Sequence, residues 1–294
     1  MSHKPSGNPS LLKDQNKKNI TLISPERSLW VFNLVEALKY LDLIYLLVKR
    51  DFVTFYKQTI LGPLWYIIQP IFNSLVFTLV FTNIAGISTD GIPPFLFYMA
   101  GTVIWGYFAY CLKEISNTFA ANAPIFGKVY FPRLAVPISL TITGFLQFIV
   151  QFCIFLGFLI YFYYQGNEIK PNKLITLLPL LIVLTAMMSV GFGMLLSAIT
   201  AKYRDLKQAL EFIIQLWMFL TPVVYPVSQV PEEYQTLIYL NPMTSVVELF
   251  REMFLGVSSL TFFSITYTIA FAFIIFLLGL IVFNRVEKNF IDTV

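Results

Sequence analysis

Residues able to do chemistry are few in this chain, and their spacing argues against most reactions. The one histidine, His3, lies in a polar N-terminal stretch, so the commonest general base and metal ligand is missing from every apolar segment. Cys111 and Cys153 sit in apolar surroundings, where a thiol packs as a small hydrophobe, and neither a disulfide framework nor any metal site is expected. The nearest approach to the phosphate-cradling pattern G-x-x-x-x-G-K-[ST] runs from Gly101 to Gly106, but Tyr107 stands where the lysine belongs. Gly127-Lys128 fails as well, since Asn122 replaces the earlier glycine. No nucleotide, cofactor or catalytic residue is therefore expected in this chain. Glu232, Glu233, Glu248 and Glu252 could be construed as the acids of a membrane-embedded glycosyl- or acyltransferase, yet no base and nucleophile accompany them.

Charge inside apolar stretches is limited to Lys113, Glu114 and Glu211, all near segment ends, where long side chains snorkel to the membrane surface. The apolar stretches are richer in aromatic and amide groups: Trp65, Tyr66, Gln69 and Asn73, then Tyr98, Trp105 and Tyr110, then Trp217 and Tyr225. Rings with a polar tip stack on sugar faces and exchange hydrogen bonds with hydroxyls, so a path lined by them would pass a glycan without holding it at one site. Interfacial anchoring explains Trp65, Tyr66 and Tyr225 equally well, but it explains Trp105 poorly, because that residue lies mid-segment. Lining and plain packing both remain open for the group.

The elements that must position these residues follow from composition. Of 294 residues 57% are hydrophobic and 12% charged, and the mean hydropathy is +0.73. Soluble domains carry about 25% charged residues, so this is a membrane protein. Met1 to Ser28 is polar with no apolar core, unlike a signal peptide, so the N-terminus is expected to remain in the cytoplasm. The net charge of +4 reports topology and contact with anionic headgroups; no basic patch interleaved with stacking aromatics points to nucleic acid.

A crossing needs about 20 apolar residues. Six segments qualify, over 64–85, 95–112, 138–164, 174–199, 209–227 and 260–283. The connections on the N-terminal side of these spans hold 17 of the 20 Lys and Arg, against 3 opposite, so both termini are expected in the cytoplasm. Between Leu34 and Phe55 the apolar positions Leu34, Leu38, Leu41, Tyr45, Val48, Phe52 and Phe55 lie four and three apart, the stripe of an amphipathic helix, with Asn33 and Glu36 spaced as a capping box. Lys39, Lys49, Arg50 and Lys57 keep it in the cytoplasmic interface. Over 231–256, Pro231 opens a polar stretch, Asn241-Pro242 interrupts it and Gly256 stops it, which predicts two short helices dipping into the outer surface in a re-entrant manner. The expected fold is all-α: a polar tail over 1–32, an interface helix over 33–60 and a six-span domain over 61–294.

Four motifs, taken in order against these spans, resemble a known family. They are Lys49-Arg50-Asp51 with Tyr56-Lys57-Gln58-Thr59, Gly62-Pro63-Leu64-Trp65 and Gln69-Pro70; Lys128 to Arg133 followed by Pro137; Tyr203-Arg204-Asp205; and Leu240-Asn241-Pro242-Met243. From about Glu36 onward the chain is similar to the permease subunits of ATP-binding-cassette type-2 polysaccharide exporters, the family that exports O-antigen, capsule and teichoic acid. The resemblance implies a homodimer in the bacterial inner membrane, paired with two copies of a separate ATPase that binds ATP and Mg, and a lipid-linked polysaccharide as cargo. It further implies that Lys49, Arg50 and Tyr56 of the interface helix touch the ATPase, together with Asn122, Ile125, Lys128, Tyr130, Phe131, Pro132 and Arg133. Pro124, Pro132 and Pro137 make that second loop stiff enough to transmit a rigid-body movement. The polar N-terminal tail is longer than such permeases need. A small-hydrophobe or drug exporter is the alternative within the class.

Overall fold

The computed structural model describes residues 37–57, 61–62, 64–126, 128, 131–167, 169–203, 205–257 and 260–290. The polar tail, the Asn33 and Glu36 cap, Pro63, Tyr130 and Arg204 lie outside the described residues. The side chains of Phe55 and Tyr56 do too. Every regular element among the described residues is helical.

Helix α1, Leu41–Lys57, is amphipathic as expected, but its two faces are used differently from the predicted stripe. Leu38, Leu41, Tyr45 and Phe52 are exposed, whereas Ala37, Ile44 and Leu47 are buried where α1 packs against the later helix α5. An interface helix needs two apolar sides, one for lipid and one for protein, and the four-and-three stripe marked only the first. Helix α2, Leu64–Phe77, continues into a wider-wound turn, Thr78–Ile84. Pro70 lies inside α2, and the Ser74 hydroxyl donates to the Pro70 carbonyl at 2.7 Å.

Helix α3, Pro94–Ser116, is the centre of the fold, packed by α2 and by four helices defined below, α5, α6, α7 and α9. Its residues are buried on nearly every side, as expected of a helix apolar all round. A short helix α4, Thr118–Phe126, follows, then α5, Ala135–Tyr164, and α6, Leu178–Thr200, which is preceded by a tight turn over Lys173–Leu177. Helices α7, Leu206–Leu220, α8, Glu232–Leu240, α9, Pro242–Leu255, and α10, Phe262–Phe290, complete the order. The α6–α10 crossing is the tightest contact: a Cβ built on Gly279 would lie 2.4 Å from the Gly191 carbonyl oxygen. Small residues let two membrane helices approach this closely.

Among the described residues, five helical stretches are long and apolar enough to cross a membrane: Leu64–Ile84, Pro94–Ser116, Ala135–Tyr164, Lys173–Thr200 and Phe262–Glu287. The predicted fifth span is shorter than expected. Helix α7 has 15 residues, about 22 Å of rise against a hydrocarbon core of about 30 Å. Pro222 disfavours helical backbone at Thr221, whose ψ is 140°, and the chain runs on without regular helix to Pro226.

The two short helices predicted over 231–256 form as α8 and α9. The Asn241 side chain caps α9 by accepting from the Met243 amide at 3.1 Å, Pro242 occupies the first turn, and Gly256 ends the helix in a left-handed conformation with φ 74°. Glu248 and Arg251 of α9 do not reach the surface. Both are buried, at 4% and 1% exposure, because α9 packs against α3 on one side and α10 on another.

Candidate functional site

Three of the residues expected to line a path come together. Tyr66 and Gln69, three apart on α2, face Tyr110, Lys113 and Glu114, which share one face of α3 at spacings of three and four. Gln147 of α5 and Glu211 of α7 close the sides of a groove of about 420 Å³. The Tyr110 ring is held from behind by Gly144: a Cβ there would lie 2.8 Å from Tyr110 Cδ1 and 2.6 Å from Cys111 Sγ. The Lys113 ammonium meets a Glu211 carboxylate oxygen at 2.9 Å, with both side chains about half exposed.

Snorkelling at isolated segment ends was the expectation for Lys113 and Glu211; they are instead a pair bridging α3 and α7. Gln147 carried no expectation at all. The signal that could have found it is an amide inside an apolar helix of 30 residues, one of two there with Gln151, since such a group needs a partner or water.

The other aromatic candidates go elsewhere. Trp105, Phe108, Phe192 and Trp217 form a cluster with ring centroids 5.1 to 6.2 Å apart, and Trp105 is buried. The Trp217 indole donates to the Asn241 side-chain oxygen at 3.1 Å, so it fastens α7 to the cap of α9. Tyr98 is buried and shares a 2.9 Å hydrogen bond with Thr82. Trp65 and Asn73 are exposed on α2, and Tyr225 lies half-buried in the break after α7.

The loop between α3 and α5 divides into an outer and an inner face. Ala120, Ala121, Pro124, Ile125 and Lys128 are exposed, whereas Asn122 is buried and its amide donates to the Thr118 carbonyl at 3.0 Å. Phe131 is buried against the Phe126 ring. Arg133 is buried too; it donates to the Glu287 carbonyl of α10 at 2.8 Å and lies over the Phe126 ring at 5.2 Å. These two side chains are therefore turned into the bundle. Lys49 and Arg50 are exposed on α1, with Arg50 paired to Asp51 at 2.8 Å. A second groove of about 350 Å³ runs beneath α4, lined by Asn117, Ala120, Ala121, Thr200 and Lys207. The Thr200 hydroxyl donates to the Ser116 carbonyl and ties α6 to α3 there. Tyr203 is exposed, with Lys202 over its ring at 5.2 Å, and Asp205 precedes α7.

At the far end of the bundle Arg251 reaches across from α9. Its guanidinium donates to the Pro222 and Val223 carbonyls, the latter at 2.7 Å, and to Glu248 at 3.2 Å, and stacks 3.6 Å from the Phe97 ring centroid. Burial lowers its pKa to about 10, which leaves it charged at neutral pH. Gly101 makes room for it, since a Cβ there would lie 2.9 Å from the guanidinium nitrogen. Among the described residues no cluster of His, Cys, Asp and Glu is placed to hold a metal ion.

An apolar helical bundle with a polar groove fits a membrane transport subunit, and the chain belongs to the ABC-2 type transporter family, which it matches over residues 42–255. Among individual proteins, it is similar to the O-antigen export system permease protein RfbA of Klebsiella pneumoniae, with 27% identity over 254 residues that cover 85% of this chain and 94% of that protein. It is 28% identical to the protein of the same name from Myxococcus xanthus, over 74% of this chain and 82% of the relative. The polysialic acid transport protein KpsM of Escherichia coli is 21% identical, over 81% of this chain and 91% of the relative.

Proposed function

We propose that this chain is the membrane-spanning subunit of an ATP-driven exporter that moves lipid-linked polysaccharide outward across the bacterial inner membrane. The observation that carries this reading is the family membership together with relatives named for O-antigen and polysialic acid transport, matched over most of their length. The absent phosphate loop supports the assignment of ATP and Mg to a separate ATPase. In this reading α7 and the irregular segment to Pro226 make the fifth of six crossings, both termini are cytoplasmic, and two copies of the chain assemble with two ATPase subunits. The strong bias of Lys and Arg to one set of connections supports the orientation.

Coupling would begin at the exposed face of α4 and the turn that follows it, where Ile125 and Lys128 are open to a partner, with Lys49 and Arg50 of α1 also within the partner's footprint. Phe131 and Arg133 then act as the transmission: Arg133 holds the end of α10 through the Glu287 carbonyl, so a push on the loop moves that helix. Tyr66, Gln69 and Tyr110 are the path-lining candidates that the geometry favours. The test is deletion of the gene, complementation with a tagged copy, and measurement of surface polysaccharide and of co-purified protein. Export restored by the wild-type copy, an ATPase recovered with it and no ATP turnover by the isolated chain are the expected results. Unchanged surface polysaccharide on deletion, or turnover by the chain alone, would overturn the reading.

A further inference from the structure

We infer that the groove between α2, α3, α5 and α7 is a subsite for the uncharged, hydroxyl-bearing face of a sugar, and that it does not receive the phosphate of a lipid carrier. The inference rests on the export reading above and gives that cargo a point of contact.

Charge is the first argument. The lining carries one cation, Lys113, against two carboxylates, Glu114 and Glu211. Lys113 is already engaged with Glu211 at 2.9 Å. A phosphate would have to break that pair and then sit beside Glu114. The charges around Glu114 do not reverse this. Lys207 acts on it but lines the neighbouring groove, and Asp51 adds a further negative charge, paired with Arg50. Anion sites present unengaged Arg or Lys forks or backbone amides, and this lining offers no unengaged cation.

Hydrogen-bond demand is the second argument. Gln147 Oε1 is buried without a partner among the described residues, and the Glu114 carboxyl lines the same groove. That amide oxygen needs a donor, because a buried acceptor left unpaired keeps its desolvation cost, and a carboxylate beside it accepts from donors as well. Sugar hydroxyls supply donors, and an ionised phosphate supplies none. Shape is the third. The rings of Tyr66 and Tyr110 flank the groove, with Tyr110 fixed by the absence of a side chain at Gly144, so a pyranose could lay its apolar face on a ring while its hydroxyls reach Glu114 and Gln147. A groove of about 420 Å³ lies within the range of about 300–1,000 Å³ typical of small-molecule sites, and it is open on one side, so a chain of sugars can leave it as readily as it arrives.

The test uses the full-length chain co-purified with its ATPase and placed in lipid nanodiscs. Saturation-transfer NMR would be recorded with a panel of neutral hexose and 6-deoxyhexose tetrasaccharides, and separately with inorganic pyrophosphate. Glu114→Gln keeps the shape and weakens the acceptor, and Gln147→Leu removes the second acceptor from a different helix, so one variant remains informative if the other fails to fold. The expected result is saturation transfer to at least one neutral tetrasaccharide, reduced fivefold or more in each folded variant, with no displacement by pyrophosphate. A smaller reduction, or displacement of the sugar by pyrophosphate, would overturn the assignment. No transfer to any tetrasaccharide in the wild type would also overturn it, and if the same protein restores surface polysaccharide to deleted cells, export stands and only the subsite falls.

Discussion

Two ion pairs sit at opposite ends of the bundle, and they differ in almost every physical respect. Arg251 and Glu248 are 1% and 5% exposed, 3.2 Å apart, and further held by two carbonyls and an aromatic face. Lys113 and Glu211 are closer, at 2.9 Å, but 43% and 48% exposed, and they border an open groove. The shorter pair is the weaker one, because water screens it and two long side chains must be ordered to make it. The longer pair is desolvated, so removing one member leaves an uncompensated charge. Distance alone says little. Burial and the surrounding partners decide that the first pair holds the molecule together and the second is free to respond to what enters.

The largest effect should come from Arg251→Met. It leaves Glu248 buried without its cation and the Pro222 and Val223 carbonyls without their donor, at a cost of about 3–5 kcal/mol, seen as loss of folded protein in thermal unfolding in detergent. The double variant Arg251→Met with Glu248→Leu should recover only part of this, since the carbonyls stay unpaired. Full recovery would mean that Arg251 serves Glu248 alone.

Arg133→Met removes a charge-assisted bond to the Glu287 carbonyl and should destabilise by about 1.5–3 kcal/mol while lowering export per ATP hydrolysed. A variant that is equally destabilised yet fully coupled would reduce Arg133 to a packing role. Gly101→Ala drives a methyl group to 2.9 Å from the Arg251 guanidinium and 3.1 Å from the Val223 carbonyl oxygen and should cost about 1–3 kcal/mol, with a smaller further loss when Arg251 is already Met. Additive losses would show that Gly101 makes room for something other than the guanidinium. Lys113→Met should change stability by only about 0–1 kcal/mol. Its export rate should nonetheless fall, because Glu211 then adds an unpaired negative charge to the groove rim. A large drop in thermal stability would erase the contrast between the two pairs.

Much of the architecture was legible in the residues. Pro242, Asn241 and Gly256 are local signals that act within a few residues, so the outer helices and their stop were predictable, and apolar length alone marked the five long helices. The groove was half legible. Tyr66, Gln69 and Tyr110 stood out as polar groups in apolar stretches, but Gln147 and the Lys113 to Glu211 pairing did not, because each depends on which helices become neighbours. The same limit explains Trp105, whose mid-span position suggested a path while the fold stacks it against Trp217.

Composition, charge bias and periodicity by themselves determined that the chain is a helical membrane protein, where its five long apolar helices run, and that its sequence carries no phosphate-loop motif. Those properties are set by each residue against solvent, lipid or its neighbours within one or two helical turns. Only the tertiary structure decided that Arg251 turns inward to two carbonyls of a broken helix, that Arg133 faces α10 and not the surface, and that one groove gathers side chains from four helices. Helical spacing gives the direction of a side chain relative to its own axis, and the partner it meets is decided by packing between helices far apart in the sequence.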